Sequence, residues 1–357
     1  MALGDGPAYI AGLIAERLGL RFHPATAVAA CGDKFRARGR FQDAGLLVPE
    51  FYRLSLDQDS EVAARCAKYP CVLKPLGLSA SRGVIRANDP AGFTTAFQRI
   101  SALLEMPEIR RAHAERDRFV QVESFIPGRE FALEGMVTDK VLRVVAIFDK
   151  PDPLDGPFFE ETIYVTPSRS AGAIQEAIRD TTQRAVQALG LTDGPIHAEM
   201  RINDSGVWML EVAARPIGGL CARVLPGLPE LILRYAVNAQ DSEPASLSQD
   251  AAGVMMIPIP REGIYQQTQG LDKATRIRGI EDVIITAKQG QKLVPLPEGS
   301  SYLGFIFARG QNADQAEAAL RESHAKLTFE ITAPATLNSA MSNARRCWTR
   351  IRMRMPR

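Results

Sequence analysis

The sequence predicts a mixed fold of the α+β (α/β) class, and three stretches carry that prediction. Residues 194–219, GPIHAEMRINDSGVWMLEVAARPIGG, read as two antiparallel strands followed by a basic, glycine-rich loop, because Ile196, Ala198, Met200 and Ile202 alternate with His197, Glu199 and Arg201. Residues 129–135 alternate in the same way. Residues 173–189 instead repeat at helical spacing, with Ile174, Ala177, Ile178, Ala185, Val186 and Leu189 on one face and Gly190 ending the run.

The remaining elements follow in chain order. A short amphipathic helix is expected over 8–18, stopped by Gly19, and Asp33-Lys34 opens a second one that runs to Ala44 and Gly45. Residues 69–75 read as a buried strand that delivers Lys74 at its end, with a helix over 91–104 and a strand over 119–123 after it. Ser124-Phe125-Ile126-Pro127-Gly128 breaks that strand before the alternating run resumes, a further strand covers 141–148, and a proline-rich loop leads to 159–165. Beyond Gly219 a helical stretch to about residue 239, a polar link over 240–250 and a smaller unit over 253–331 with a helix at 313–325 complete the chain. The last residues carry six arginines and no acid, the composition of a solvated basic tail.

Composition narrows the function. A chain of 357 residues with 46% hydrophobic and 24% charged residues is long enough for two or three packed units with a large core. A formal net charge of +2, with few aromatics among the basic residues, argues against nucleic acid. No apolar run approaches the ~18 residues that span a membrane, and the first residues lack a signal-peptide pattern, so a cytoplasmic protein is expected. The five cysteines are odd in number and lack metal-ligand spacing, which reads as reduced and mostly buried thiols.

The hairpin carries the first chemical signal. A three-residue loop, Asp204-Ser205-Gly206, would pair Asn203 with Val207 and set Glu199 directly across from Glu211, with Cβ atoms ~5 Å apart. Opposed carboxylates repel unless a cation sits between them. A two-residue loop would pair Glu199 with Leu210 instead, and two unrelated surface glutamates are the plainer alternative. The Arg215-Pro216-Ile217-Gly218-Gly219 tail favours the first reading, since a fixed cation and flexible amides beside a carboxylate pair suit a phosphate.

Two further stretches point the same way. Lys74 ends a strand and is followed by a small, polar, glycine-bearing segment, 76–84, whose amides could close over phosphates; an ordinary turn with a solvated lysine is the alternative, and the chain has no GxxxxGK[ST] match. The break at 124–128 exposes backbone donors and acceptors between Glu123 and Glu130, as a nucleotide clamp would, or as any strand, turn and strand would.

Taken together, DK before AGLLVP, VLKPLGLSASRGV, VESFIPGREF, HAEM and LEVAARPIGG, in that order, resemble the ATP-grasp superfamily, in particular its L-amino-acid ligase and carboxylate–amine ligase branch. The resemblance covers about residues 33–330. It implies an ATP-grasp fold of two α+β subdomains clasping ATP, at 33–120 and 121–240, with a lid-like C-terminal subdomain at 241–330. It further implies a truncated N-terminal domain at 1–32 and the basic tail at 331–357. The implied activity is ADP-forming: a carboxylate is activated as an acyl phosphate and joined to an amine. Lys34 and Lys74 would meet the α- and β-phosphates, and Ser79, Ser81 and Gly83 would cover the γ-phosphate. Glu123, Phe125 and Ile126 would meet adenine, and Glu130 the ribose. Glu199 and Glu211 would hold magnesium, or manganese in its place. Arg215 and Lys74 would serve catalysis, and Glu161, Tyr164, Arg215 and Gly218 would face small-molecule carboxylate and amine substrates.

Three departures qualify the expectation. Ala213 stands where the family commonly has an asparagine ligand, and Tyr164 stands where some relatives have a histidine. About 32 residues precede Asp33 where the family has a whole domain, which a second copy of the chain or a partner could supply. The competing readings are a carboxylase-type or acid–thiol ligase and a nucleotide-binding protein with little catalysis.

Overall fold

The computed structural model describes residues 2–110, 115–237 and 250–333. The expected tail beyond 333, most of the link at 240–250 and Cys347 lie outside the described residues.

Helices form at Asp5–Leu18, Lys34–Asp43, Pro90–Leu104 and Gly172–Leu189, within three residues of where the hydrophobic spacing puts them. Asp33 caps the second of these by accepting from the Arg36 amide at 3.1 Å, which leaves Lys34 as its first residue. A helix at Ala25–Cys31 has no counterpart in the sequence reading; it is seven residues long and, Thr26 aside, small and apolar, so little periodicity marks it. The stretch after Gly219 is not one helix. Pro226 separates a 3₁₀ turn at Cys221–Val224 from a helix at Leu228–Ala236.

A first antiparallel sheet contains β1 (Phe51–Ser55), β2 (Cys71–Pro75), β3 (Ile85–Ala87) and β4 (Phe119–Ser124) in the order β1-β4-β2-β3. Leu73, Val120 and Val122 pack on Phe93, Phe97 and Ile100 of the Pro90–Leu104 helix. Alternation therefore turns Val72, Lys74, Gln121 and Glu123 the other way, with Val72 paired to Glu123 and Lys74 to Gln121.

The chain then supplies β5 (Arg129–Thr138), β6 (Val141–Asp149), β7 (Ile163–Thr166), β8 (Gly194–Asn203), β9 (Gly206–Ala213), β10 (Ala251–Ile257), β11 (Gly263–Gln269), β12 (Ile280–Ile285), β13 (Lys292–Leu293), β14 (Gly304–Gly310) and β15 (Thr328–Thr332). Eight of these make one antiparallel sheet, β12-β14-β10-β7-β6-β5-β8-β9, so strands of the C-terminal stretch continue the sheet that holds the hairpin; β13, β11 and β15 form a third, smaller sheet. One face of the large sheet buries Leu133, Ala198, Met200 and Val212 against Ile178, Val186 and Leu189 of the long helix and Phe41. Each of these side chains larger than alanine contributes about 1.5–3 kcal/mol by leaving water. Among the described residues no helix is long and apolar enough to cross a membrane.

The hairpin corrects one expectation. Its turn has two residues, with Asn203 paired to Gly206, not three. A β-bulge between Glu199 and Met200 on one strand and Met209 and Glu211 on the other then shifts the register by one, and Glu199 still faces Glu211.

Candidate active site

The outward face of β2 and β4 and the second face of the large sheet enclose a cavity of about 370 Å³. Lys34, Lys74, Glu199, Glu211 and Arg215 all line it.

Lys74 is held by the buried Glu123 at 2.5 Å, and Glu123 also accepts from Arg38, an arginine 2% exposed, at 2.8 Å and from Gln121 at 2.6 Å. Burial lowers the Lys74 pKa, with Glu123 opposing that shift. Burial would raise the Glu123 carboxyl, but Arg38 and Lys74 outweigh it and hold it down at about 2. The Glu123 carboxylate is thus occupied with cations of its own wall. Lys34 donates to the Leu78 carbonyl at 2.6 Å and lies 3.7 Å from Glu211.

Ser79, Ala80 and Ser81 line the cavity on the loop after β2, where Ala80 and Ser81 adopt φ values of 54° and 53°. Left-handed backbone at two consecutive non-glycine residues is uncommon and turns a short loop sharply. Gly83 does not line the cavity. Its amide donates to the Pro297 carbonyl at 2.8 Å, its φ is +73°, and an added Cβ would sit 2.8 Å from Pro75.

The break between β4 and β5 is held from below. Arg201, buried, donates to the Ile126 carbonyl at 2.8 Å and Glu130 at 2.9 Å, donates to the Leu154 carbonyl, and sits over the Phe125 ring at 5.2 Å. The Phe125 amide donates to Pro70. Gly128 is required here, since a Cβ on it would lie 2.2 Å from the Ile202 carbonyl oxygen. Phe125, Ile126, Val72 and Val84 all line the cavity.

At the floor, oxygens of Glu130, Glu161 and Glu199 lie within 4.8 Å of one another. Lys150, which the sequence reading missed, sits among them at 2.8, 2.6 and 2.8 Å. Burial would lower its pKa, but the three acids raise it well above the usual lysine range. Burial would raise Glu199, yet Lys150 and His197 hold it well below the carboxylate range, while burial and the Glu199 charge push Glu161 up to about 7. His197 bridges Glu134 and, at 3.4 Å, Glu199; burial opposes its protonation, but those carboxylates raise it to about 10. Tyr164 donates to Glu199 at 3.2 Å. The Lys150 ammonium already meets all three of these oxygens, and Glu199 is the member of the trio that is also paired across the hairpin with Glu211. Glu211 is outside that trio and faces Lys34, and Ala213, buried, offers no ligand atom.

Arg215, nearly buried, donates through Nε to Asp5 at 2.6 Å and through Nη1 to the Pro216 carbonyl at 3.1 Å, beside Gly218 at the cavity edge. Asp5, on the first helix, also escaped the sequence reading. A signal for Lys150 was present: Lys150-Pro151 ends a strand as Lys74-Pro75 does.

A nucleotide-sized cleft lined by lysines, arginines and several carboxylates defines a nucleotide-clasping class of protein. The ATP-grasp domain family matches residues 67–224, and the L-amino acid ligase C-terminal domain 2 family matches 255–332. Residues 67–224 thus carry an ATP-grasp domain and residues 255–332 an L-amino acid ligase C-terminal domain 2. The crystal structure of L-amino acid ligase from Bacillus licheniformis superposes with a TM-score of 0.79 at 27% identity, covering 92% of this chain and 80% of that one. Alanine–anticapsin ligase of Bacillus subtilis is 27% identical over 57% of this chain and 45% of its own length. An uncharacterized protein of Sinorhizobium fredii is 24% identical over 85% of this chain and 62% of its own. The chain thus spans less than two thirds of either of these two relatives.

Proposed function

We propose that the chain is an ATP-dependent, ADP-forming ligase that joins a carboxylate, an amino acid, to an amine. The observation that carries this reading is the cavity itself: Lys34, Lys74 and Arg215 line one space together with Glu199 and Glu211. Phosphoryl transfer needs positioning and neutralised phosphate oxygens more than a protein nucleophile, and this arrangement offers both.

In this reading residues 33–120 and 121–240 clasp ATP, and 241–330 close the substrate end. Lys34 and Lys74 hold the α- and β-phosphates, with Ser79 and Ser81 above the γ-phosphate. Adenine lies between Val72 and Val84 and takes its hydrogen bonds from the Phe125 carbonyl and the Ile126 amide. Glu123 acts through Lys74, and Glu130 is the acid nearest the ribose. Glu199 and Glu211 would hold magnesium or manganese, which when bound neutralises charge on the phosphate oxygens. A substrate carboxylate oxygen attacks the γ-phosphorus and ADP leaves. The amine then attacks the acyl carbon, the C–O bond to phosphate breaks, and phosphate leaves with that electron pair and takes up the proton the amine loses. Arg215 orients the carboxylate or the transferring phosphoryl group, and Glu161, Tyr164 and Gly218 border the acceptor space.

The test is phosphate release from ATP and magnesium against single amino acids and pairs of them. Release that rises only when a carboxylate and an amine are both supplied supports the ligase. Release that depends on bicarbonate or a thiol transfers the assignment to those acceptors, and nucleotide binding without release removes catalysis from it.

A further inference from the structure

The first helix is apolar on two opposite faces. Ala8, Gly12 and Ala15 turn inward, and their small size lets Asp5–Leu18 run close to the Ala25–Cys31 helix: a Cβ added at Gly12 would lie 3.1 Å from the Ala25 Cα. Helical spacing puts Tyr9, Ile10, Leu13, Ile14 and Leu18 on the other side, where they are between 40% and 65% exposed. Large residues outside and small ones inside reverse the usual order of a surface helix. Single exposed apolar residues are ordinary, but Ile10, Leu13, Ile14 and Leu18 follow one another at i, i+3, i+4 and i+8 as a continuous stripe. With Leu3 and Leu20 also exposed just beyond the helix ends, its surface is on the order of the ~800 Å² that each partner gives to a standard stable interface. Charges on this helix are few. Glu16 accepts from the Ala25 amide at 2.7 Å and Asp5 accepts from Arg215, whereas Arg17 is exposed within the stripe and makes no ion pair among the described residues.

We propose that this outer face pairs with the same face of a second copy of the chain, as an antiparallel pair of helices about a two-fold axis. Such an axis demands a surface that complements itself, and this one does. A crossing centred on Ile10 and Leu13 lays stripe on stripe. It also brings Arg17, in the last turn of one helix, beside Asp5 of the partner subunit, in the first turn of the other, and the symmetry repeats the pair. The Asp5 side chain is 40% exposed even while it holds Arg215, so it has room for a second cation. Opposed helix dipoles favour the same antiparallel sense. A lipid surface would call for a basic rim, and this helix carries a single arginine. Because Gly4 and Asp5 line the cavity, the pairing seats the partner subunit beside it. Pairing of this kind does not depend on the ligase reading.

The experiment is sedimentation velocity of the full chain across micromolar concentrations, comparing the wild type with the double variant Ile10→Glu, Ile14→Glu. Val141→Glu, at a β6 residue that is 65% exposed, serves as the control. The wild type is expected at twice the mass of one chain. The double variant is expected to associate at least about tenfold more weakly, with the control unchanged. Arg17→Glu, which sets like charges together at both ends of the pair, is expected to weaken association about fivefold. Circular dichroism checks that each variant is folded, and if the double variant is not, Leu13→Gln replaces it. A wild type that stays monomeric throughout leaves the face to some other partner and overturns the proposal. A dimer that the stripe variants leave intact overturns it as well, and so does growth beyond two copies, since an open series has no two-fold pair. Arg17→Glu that associates as tightly as the wild type contradicts the antiparallel arrangement.

Discussion

Glu123 shows how a single side chain organises a wall of the cavity. Its carboxylate gathers Arg38, Gln121 and Lys74, and Lys74 is thereby fixed where a phosphate can reach it. The same pairing makes stability depend on pH. The folded-state pKa is held at about 2 against an ordinary value of 4.5. The stabilisation is therefore complete above pH ~4.5 and lost as the pH falls towards ~2, amounting to about 3 kcal/mol. Glu123→Gln is expected to flatten that part of an acid-unfolding curve followed by circular dichroism. An unchanged acid limb would show that the pair contributes no pH-dependent stability. Residues of this kind differ in how far sequence reveals them. Glu199 and Glu211 stand out because strand alternation and a nearby turn restrict where they point. Lys150 and Asp5 do not, because each meets its partners through folding: Lys150 reaches acids on β5, β8 and the approach to β7, and Asp5 reaches Arg215 across 210 positions of chain.

At the scale of elements, the loop after β2 is tied to the C-terminal stretch. Gly83 donates to the Pro297 carbonyl, Arg82 donates to the Glu298 carbonyl at 2.7 Å, and Arg99 grips the Glu298 carboxylate at 2.8 and 2.9 Å. Tyr302 and Phe305, which line the cavity, follow directly in the same segment. Arg82→Ala is expected to raise the KM for ATP by roughly fivefold to tenfold while shifting the melting temperature little, because a partly exposed charged hydrogen bond to backbone contributes about 1 kcal/mol. An unchanged KM would mean that the loop keeps its place without the C-terminal stretch. Helices and strands with a clear period were legible within a few residues, because one face of each is buried against a single neighbour. The bulge opposite Glu199 was not legible, since nothing local in Met209-Leu210-Glu211 marks an extra residue, and the short Ala25–Cys31 helix, apolar except for Thr26, gave little period to read.

Across the whole molecule, one sheet of eight strands joins the strands that carry Glu130 and Glu199 to those that carry Met256 and Phe305. That continuity could not be read from the chain, where the strands are separated by a polar link and look like separate units; the pairing of β10 with β7 is a contact of distant residues. The order of motifs, in contrast, was fully visible, because each reflects a local need for a lysine, a glycine turn or an acid at a fixed place along a strand. The central claim is that ATP is spent on activating a carboxylate. The most direct measurement is the fate of oxygen in an amino-acid substrate labelled with ¹⁸O in its carboxylate, incubated with ATP, magnesium and an acceptor amino acid. The account predicts one ¹⁸O atom in each phosphate released, delivered when the acyl phosphate is broken by the amine. Phosphate released without label would contradict it.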